Sequence, residues 1–266
     1  EAAWPLSVMQ YDMFMDNLVN PASLQSIHGW HIHVHRELDV NMWRDCLQTI
    51  SDHQPVMRAR FVTADKPWLD MGYLAVRREH AIPFELIDLS GSPISEAELQ
   101  LKIRNLIYRP YNLAQDELVS YCVLKLAPAH FVVITAVHHA VLDGAALNSL
   151  WEQITALYNS RNVGARQASG AATFNHVPAV FNEFVQHDRA SMDTAPVIEF
   201  WRERFRNVEP LDFTVPAPVP TPAHFITREL FLDDEHWQQL KKFCREHRIT
   251  PALYLKSLFG LMIKTY

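Results

Sequence analysis

The sequence predicts an α+β protein with a strand-rich core and helices around it. Residues 130–137 are rich in β-branched side chains, which is typical of a buried strand. Residues 27–36 alternate between apolar and polar side chains, which indicates a half-buried strand. Residues 145–158 instead carry apolar side chains at helical spacing, so we expect a helix soon after the buried strand.

The amino-terminal half supplies further elements by the same two periodicities. Ser7 is a candidate N-cap for a short amphipathic helix that ends near Leu18. A second helix begins at Ser95 and ends before Pro110, because proline excludes helical backbone angles from the residue that precedes it. The remaining predicted elements of this half are a helix over 41–52 and strands over 83–89 and 118–126.

The carboxy-terminal half is predicted to be mainly helical. Residues 161–172 are rich in Gly, Ala and Ser and are interpreted as a linker. Residues 210–222 contain five prolines, which predicts an extended segment. The last helix is expected to follow a Thr250 cap, with Pro251 in its first turn. The other predicted elements are helices over 178–189, 195–206 and 233–247, the last with Trp237, Leu240 and Phe243 facing inward, and a strand over 226–232.

Composition and charge narrow the class of protein. With 266 residues and 48% hydrophobic side chains, the chain can form a sizeable core, as one large domain or as two lobes. Its net charge of -6 comes without a basic run, which argues against nucleic acid and against a membrane surface as partners. Three separated cysteines indicate buried thiols in a reducing compartment. No apolar run approaches the ~20 residues of a membrane span, so the cytoplasm is the expected location.

Titratable side chains and a glycine lie where the buried strand gives way to the helix. His138 and His139 are adjacent, and successive residues of an extended segment alternate faces, so only one of them can face a substrate. A histidine can take up and return a proton near neutral pH. Asp143 can fold back on the turn or pair with an arginine, and Gly144 permits unusual backbone angles or close approach of a ligand. The alternative is a core histidine pair beside a capping aspartate.

The polar face of the strand over 27–36 carries His31, His33 and His35. Neutral imidazoles at this spacing on one strand face can ligate zinc. No cysteine or acidic cluster is adjacent in the sequence, so we interpret these side chains as a solvated polar face and predict no metal site.

The pattern His138-His139-x-x-x-Asp143-Gly144 resembles the HHxxxDG signature of the condensation domains of nonribosomal peptide synthetases, within the chloramphenicol-acetyltransferase-like superfamily. Its setting between a strand and a helix is also the setting of that signature. Three other stretches are similar to motifs of this family: Leu6-Ser7-x-x-Gln10, His53 to Phe61, and Phe200-Trp201-Arg202. In the second of these, Gln54 stands where the family usually has histidine and Ala59 where it usually has threonine.

The resemblance implies a chloramphenicol-acetyltransferase-like fold, a two-layer α/β sandwich with a mixed sheet and flanking helices. Residues 1–166 then form the amino-terminal lobe, and residues 167–266 form linker helices and the beginning of a truncated carboxy-terminal lobe. That second lobe is incomplete at Tyr266, so residues 1–266 alone are expected to turn over poorly.

The resemblance also implies amide-bond formation between a donor acyl or peptidyl thioester and an acceptor aminoacyl thioester. His139 is the implied catalytic residue: it acts as a general base, positions the amine, or stabilises the tetrahedral intermediate. Gly144 is implied to offer its backbone N–H to the developing oxyanion. His138, Asp143 and Arg58 are implied supports of the site, with a buried salt bridge between Arg58 and Asp143.

Members of the family need no metal and no cofactor of their own, since phosphopantetheine belongs to the donor and acceptor peptidyl carrier proteins. Adjacent synthetase domains are the other implied partners. The aspartate pair that replaces the histidines in heterocyclization domains is absent, which argues against that branch. Three alternatives stay open: an epimerization domain, a free-standing acyl-coenzyme A-dependent acyltransferase, and a non-catalytic carrier-docking module.

Overall fold

The computed structural model describes residues 2–62, 72–91, 94–163, 178–192, 194–209 and 231–265. The chain divides into two compact units, residues 1–223 and residues 224–266. The lobe boundary predicted at residues 166–167 lies outside the described residues, and the division into lobes stays a prediction. None of the helices in the described ranges is long and apolar enough to cross a membrane.

Strands and helices follow one another along the first unit much as the sequence indicates. The strands are β1 (Ala2–Pro5), β2 (Ile27–Val34), β3 (Ala59–Val62), β4 (Tyr73–Val76), β5 (Phe84–Asp88), β6 (Val119–Ala127) and β7 (His130–His138). The helices are α1 (Val8–Val19), α2 (Val40–His53), α3 (Glu96–Ile107), α4 (Gly144–Val163), α5 (Pro178–Met192) and α6 (Ala195–Phe205), and a single 3₁₀ turn covers Pro55–Arg58. The predicted elements between residues 5 and 158 are confirmed, with bounds that differ by a few residues.

A four-stranded mixed sheet forms the centre of this unit, with the strand order β2-β7-β6-β5. β7 pairs antiparallel with β2 and with β6, whereas β5 pairs parallel with β6. In the register of β2 against β7, Ile27 lies opposite His138 and Val34 lies opposite Phe131. His138 and His139 are therefore at one end of this strand pair, and His33 and His35 are at the other. The predicted α+β class with a mixed sheet is therefore confirmed.

A second, three-stranded sheet has the order β1-β4-β3 and was not predicted. Each of its strands is four residues long, which is too short for a period of two to stand out in the sequence. The register of β3 against β4 places Ala59 opposite Val76. Its strand β3 begins directly after the 3₁₀ turn that ends at Arg58.

Helices pack on both faces of the four-stranded sheet. Val132 and Ile134 share one buried cluster with α3, whereas Val133 and Val137 belong to the larger core that includes α2 and α4. Helix α3 crosses β2 closely at Gly29, where a Cβ would lie 2.8 Å from the carbonyl oxygen of Thr135 and against the side chain of Ile107. The alternation of apolar side chains along β7 therefore supplies two cores from one strand.

Local hydrogen bonds explain where several helices begin. Ser7 and Gln10 form a capping box at α1, and Ser95 and Glu98 form another at α3. The Asp39 side chain accepts the N–H of Met42 at the start of α2 (3.0 Å). The predicted starts at Ser7 and Ser95 are confirmed.

Three predictions for the segments after α4 differ from the structure or fall outside the described residues. α4 continues through Val163, so residues 161–163 are helical and not linker, while residues 164–172 lie outside the described residues. The proline-rich segment 210–222 also lies outside them, as do residues 226–230 of the predicted strand. Phe231 and Leu232, the described end of that segment, are not part of a strand.

The second unit contains α7 (Asp234–Glu246) and α8 (Pro251–Thr265). The predicted Thr250 cap is confirmed, because its hydroxyl oxygen accepts the N–H of Leu253 (3.1 Å). The predicted inward face of α7 is wrong for Trp237 and Phe243, which are 37% and 42% exposed, whereas Cys244 is buried. When two helices pack together, each buries only the strip along which they meet, so the rest of its apolar face stays exposed.

Candidate functional site

His138 ends β7 and points into the protein, with 4% of its surface exposed. Its ring lies 5.8 Å from that of Tyr111, in an edge-on arrangement. Nδ1 accepts the N–H of Ala140 (3.2 Å), so the neutral ring carries its proton on Nε2. Burial, followed by the nearby His139 and His28 side chains, lowers the pKa of His138 to about 4. This ring is therefore neutral at pH 7 and holds the turn after the strand.

His139 begins the turn and directs its ring elsewhere. Its N–H donates to the carbonyl of Ser26 (2.7 Å), which ties the end of β7 to the residue before β2. The ring packs against His28, with centroids 4.4 Å apart and planes at 89°. Burial, with a smaller contribution from His139, lowers the pKa of His28. His139 itself is only partly buried, so the two adjacent histidines diverge as the alternation of faces predicts.

A cavity of about 610 Å³ opens in front of His139. That volume is in the usual range of small-molecule sites, about 300–1,000 Å³. Its apolar lining includes Trp4, Met13 and Leu142, and its polar lining includes Gln54 and Gln153. The cavity is thus bounded by α1, by the segment before the 3₁₀ turn, and by α4, with Phe181 of α5 also contributing.

Gln10 of α1 connects the first helix to the turn that carries His139. Its Oε1 accepts the N–H of Ser7 (3.0 Å), and its Nε2 donates to the carbonyl of Ala140 (2.9 Å). The side chain is buried, so both bonds replace contacts with water that the folded state cannot offer. This contact gives a physical reason for a glutamine at that position, which the sequence indicated only through the motif.

Asp143 and Arg58 do not form the predicted buried salt bridge, and that prediction is wrong. Asp143 is exposed, and its carboxylate accepts the N–H of Ala146 (2.7 Å) at the start of α4. A carboxylate at a helix N-terminus satisfies a free N–H and interacts favourably with the helix dipole. Arg58 instead donates from Nη1 to the carbonyl of Arg78 (3.2 Å). The capping alternative for Asp143 is what the structure shows.

Gly144 is the first residue of α4 and is exposed. Its φ is not in the left-handed region, so no unusual backbone angle requires a glycine here. A Cβ at this position would meet no atom within 4 Å among the described residues. The first N–H groups of a helix have no partner within the helix, so open space and a free donor coincide at this residue.

The site therefore combines the residues of the predicted turn with residues from distant elements, Gln10 and His28, whose contacts with this turn the sequence did not predict. His138, His139, Asp143 and Gly144 lie on one continuous segment, as predicted. The packing of His28 on His139 was missed. The alternation along β2 was its only sequence signal, because strand pairing decides which rings meet.

The whole chain matches a family model. The model of the family described as "Condensation domain" matches residues 1–266. Bacitracin synthase 3 of Bacillus licheniformis is 19% identical over 271 residues, which cover 100% of this chain and 4% of that protein. A linear gramicidin synthase of Brevibacillus parabrevis is 26% identical over 278 residues, which cover 98% of this chain and 3% of that protein.

Two solved structures show the same fold at low sequence identity. The first condensation domain of the calcium-dependent antibiotic synthetase, in complex with a substrate analogue, matches with a TM-score of 0.78 and 19% identity. That match covers 99% of this chain and 61% of that one. The starter condensation domain of rhizomide synthetase matches with a TM-score of 0.64 and 18% identity, over 79% of this chain and 49% of that one. The chain thus spans less than two thirds of these structures and a few per cent of the synthetases.

Proposed function

Because this chain belongs to the condensation-domain family, we propose that it catalyses amide-bond formation in a nonribosomal peptide synthetase. The donor is an acyl or peptidyl thioester and the acceptor is an aminoacyl thioester. Amide formation rather than docking alone is supported by one observation above all: the partly exposed ring of His139 lines a cavity of substrate size, while its neighbour His138 is buried behind it.

The reaction needs one proton to move. The acceptor amine attacks the donor carbonyl carbon, a C–N bond forms, and the C–S bond of the thioester breaks. His139 takes the proton that the amine loses and returns it to the leaving thiolate. General base catalysis of this kind contributes typically ~10²–10⁴-fold to the rate. In the two alternative roles, His139 positions the amine or stabilises the tetrahedral intermediate.

His139 is held in place for this role by backbone contacts on both sides. Its own N–H is fixed by Ser26 (2.7 Å), and the carbonyl of the next residue, Ala140, is fixed by Gln10 (2.9 Å). A general base is effective only when its nitrogen stays within reach of the proton that it removes. These two hydrogen bonds fix the backbone around His139, and the ring of His28 packs against its imidazole, which lines the cavity.

Gly144 supplies a second element of the proposed chemistry. Its N–H lies at the start of α4, where the helix dipole favours negative charge, and the space beside its Cα is open. A donor aimed at a developing oxyanion stabilises the transition state more than the ground state. We assign this N–H as an oxyanion donor, with Asp143 acting as the cap of the helix.

The partners follow from the reaction. Donor and acceptor substrates arrive on the phosphopantetheine arms of two peptidyl carrier proteins, so the chain needs no cofactor of its own for this chemistry, and the adjacent synthetase domains hold these carriers nearby. The cytoplasm is the expected compartment, which is supported by the buried free thiols of Cys46, Cys122 and Cys244.

An amide-forming assay with both carrier proteins loaded tests the proposal. It is run on residues 1–266 and on the longest natural chain that contains them. His139→Ala should lower turnover by at least ~100-fold. His31→Ala, which removes an exposed histidine of β2 outside the cavity lining, should leave turnover unchanged and is the matched control. Undiminished product from His139→Ala would remove the catalytic assignment.

Two further arms separate the open alternatives. Saturation by an acyl-coenzyme A donor without a carrier protein would indicate a free-standing acyltransferase. Exchange of the α-proton of a loaded aminoacyl thioester with deuterated solvent, without amide formation, would indicate an epimerization domain. Carrier binding with neither reaction would indicate a docking module. Residues 1–266 alone are expected to turn over poorly, because they span only 49% and 61% of the two solved condensation domains.

A further inference from the structure

A second group of histidines lies on the four-stranded sheet, away from His139. One ligand-capable nitrogen from each of His33, His35 and His130 lies within 4.8 Å of the other two. Nδ1 of His33 and Nε2 of His130 are 3.2 Å apart. The ring of His35 stacks at a tilt on that of His130, with centroids 4.4 Å apart. The three imidazoles therefore converge on one small volume.

Strand register brings these residues together across 97 positions of sequence. His33 is opposite Val132 in the β2–β7 pair, and His130 lies two residues before Val132 on the same face of β7. His35 follows immediately after the end of β2. The sequence showed His31, His33 and His35 in a row, but the structure replaces His31 by His130 as the third member of the group.

The spacing of these nitrogens is close to that of a metal site. Zn–N bonds of about 2.0–2.1 Å in a tetrahedron place two ligand nitrogens about 3.4 Å apart. The His33–His130 separation of 3.2 Å is already close to this value. The widest separation, up to 4.8 Å, needs to close by about 1.4 Å. Rotation of the exposed His35 ring can supply that movement, because no core packing holds it.

The surroundings also suit a metal ion with one open position. His33 and His130 are half-buried and His35 is exposed, so a water molecule can reach a fourth coordination position. Glu96, in the first turn of α3, supplies a negative charge near His130.

We propose that His33, His35 and His130 form a binding site for a divalent transition-metal ion such as Zn²⁺. Imidazole nitrogen is a ligand for Zn²⁺, Co²⁺, Ni²⁺ and Cu²⁺ but not a preferred one for Mg²⁺ or Ca²⁺, so the site discriminates against the last two. The site lies at the opposite end of the β2–β7 pair from His139: His130 and His138 are at the two ends of β7, eight residues or about 26 Å of strand apart. It is therefore separate from the cavity proposed for amide formation.

Titration of the untagged chain with Zn²⁺, followed by calorimetry, tests this site, with Mg²⁺ as the comparison. We expect one Zn²⁺ per chain and no saturable binding of Mg²⁺. His35→Ala and His130→Ala should each weaken Zn²⁺ binding at least ~10-fold, since even the loss of a partner outside the coordination shell costs that much. His187→Ala is the matched control, because His187 is an exposed histidine of α5 outside the three-histidine group, and its loss should leave the affinity unchanged.

Folding of each variant is checked by circular dichroism without metal, and His35→Ala decides the outcome if His130→Ala fails to fold. The proposal is overturned if the chain binds no Zn²⁺, or if His35→Ala binds as tightly as the wild type. It is also overturned if His187→Ala weakens binding as much as His35→Ala does. Because the test reads metal binding and not turnover, a failure here is distinguishable from a failure of the proposed catalytic function.

Discussion

Replacement of Gln10 by alanine should destabilise the protein, because this side chain joins α1 to the turn after β7. The substitution removes two hydrogen bonds: Oε1 of Gln10 accepts the N–H of Ser7 (3.0 Å), and Nε2 donates to the carbonyl of Ala140 (2.9 Å). Gln10 is only 7% exposed, so water cannot readily take the place of the lost amide.

The magnitude follows from those two bonds. Each contributes a net ~0.5–1.5 kcal/mol, and a buried group left without a partner costs ~1–3 kcal/mol. We therefore expect the free energy of unfolding of Gln10→Ala to fall by about 2–4 kcal/mol. Gln10→Glu keeps an acceptor for Ser7 but loses the donor to Ala140, so its loss should be of similar size or greater.

Urea denaturation followed by circular dichroism measures this change. Gln100→Ala is the matched control, since Gln100 is an exposed glutamine of α3 whose amide bonds to Glu96 (2.8 Å) on the same helix. That variant should remain within ~0.5 kcal/mol of the wild type. A loss below about 1 kcal/mol for Gln10→Ala would show that the bond to Ala140 does not hold the turn.

Three other predictions concern the residues of the turn. In the folded state the pKa of His138 is about 4, against an ordinary value of 6.5, so the unfolded state binds more protons between these two pH values. The free energy of unfolding should therefore fall by about 3 kcal/mol as the pH decreases from 6.5 to about 4. His138→Gln should flatten the dependence of the urea midpoint on pH in this range. Gly144→Ala should change the free energy of unfolding by less than ~1 kcal/mol, because the added methyl group meets no other atom. The same variant should lower turnover in the amide-forming assay by about tenfold, because the methyl group occupies the open space beside the proposed oxyanion donor. Asp143→Ala should lower the free energy of unfolding by ~1 kcal/mol in thermal denaturation, and Asp143→Asn should hardly change it, because asparagine also caps helices. Losses of ~3–5 kcal/mol in both Asp143→Ala and Arg58→Ala would instead indicate that these two side chains form a buried salt bridge.

Part of the candidate site could be read from the sequence, because it lies on one continuous segment. The strand that ends at His138 and the helix that begins after Asp143 are both visible as periodicities, and the alternation of faces requires that only one of the two neighbouring rings points inward. Which ring that is was implied only by the family resemblance, because both faces of β7 are buried. The partner of Asp143 could not be read in this way. A carboxylate at a helix start can bond to its own first turn or to a distant arginine, and only the position of Arg58 in the fold decides between the two.

The sequence by itself determined the features that depend on neighbours a few residues apart: the capping boxes at Ser7 and Ser95, the cap at Thr250, and the buried strand before His139. Caps and periodicities act through local hydrogen bonds and through the geometry of one helix or strand, so the order of side chains contains them. Only the tertiary structure decided that His130 meets His33, that Gln10 reaches Ala140, and that α7 leaves Phe243 exposed. These contacts depend on strand register and on which surfaces meet. No local pattern of the sequence indicates which side chains far apart along the chain will come into contact.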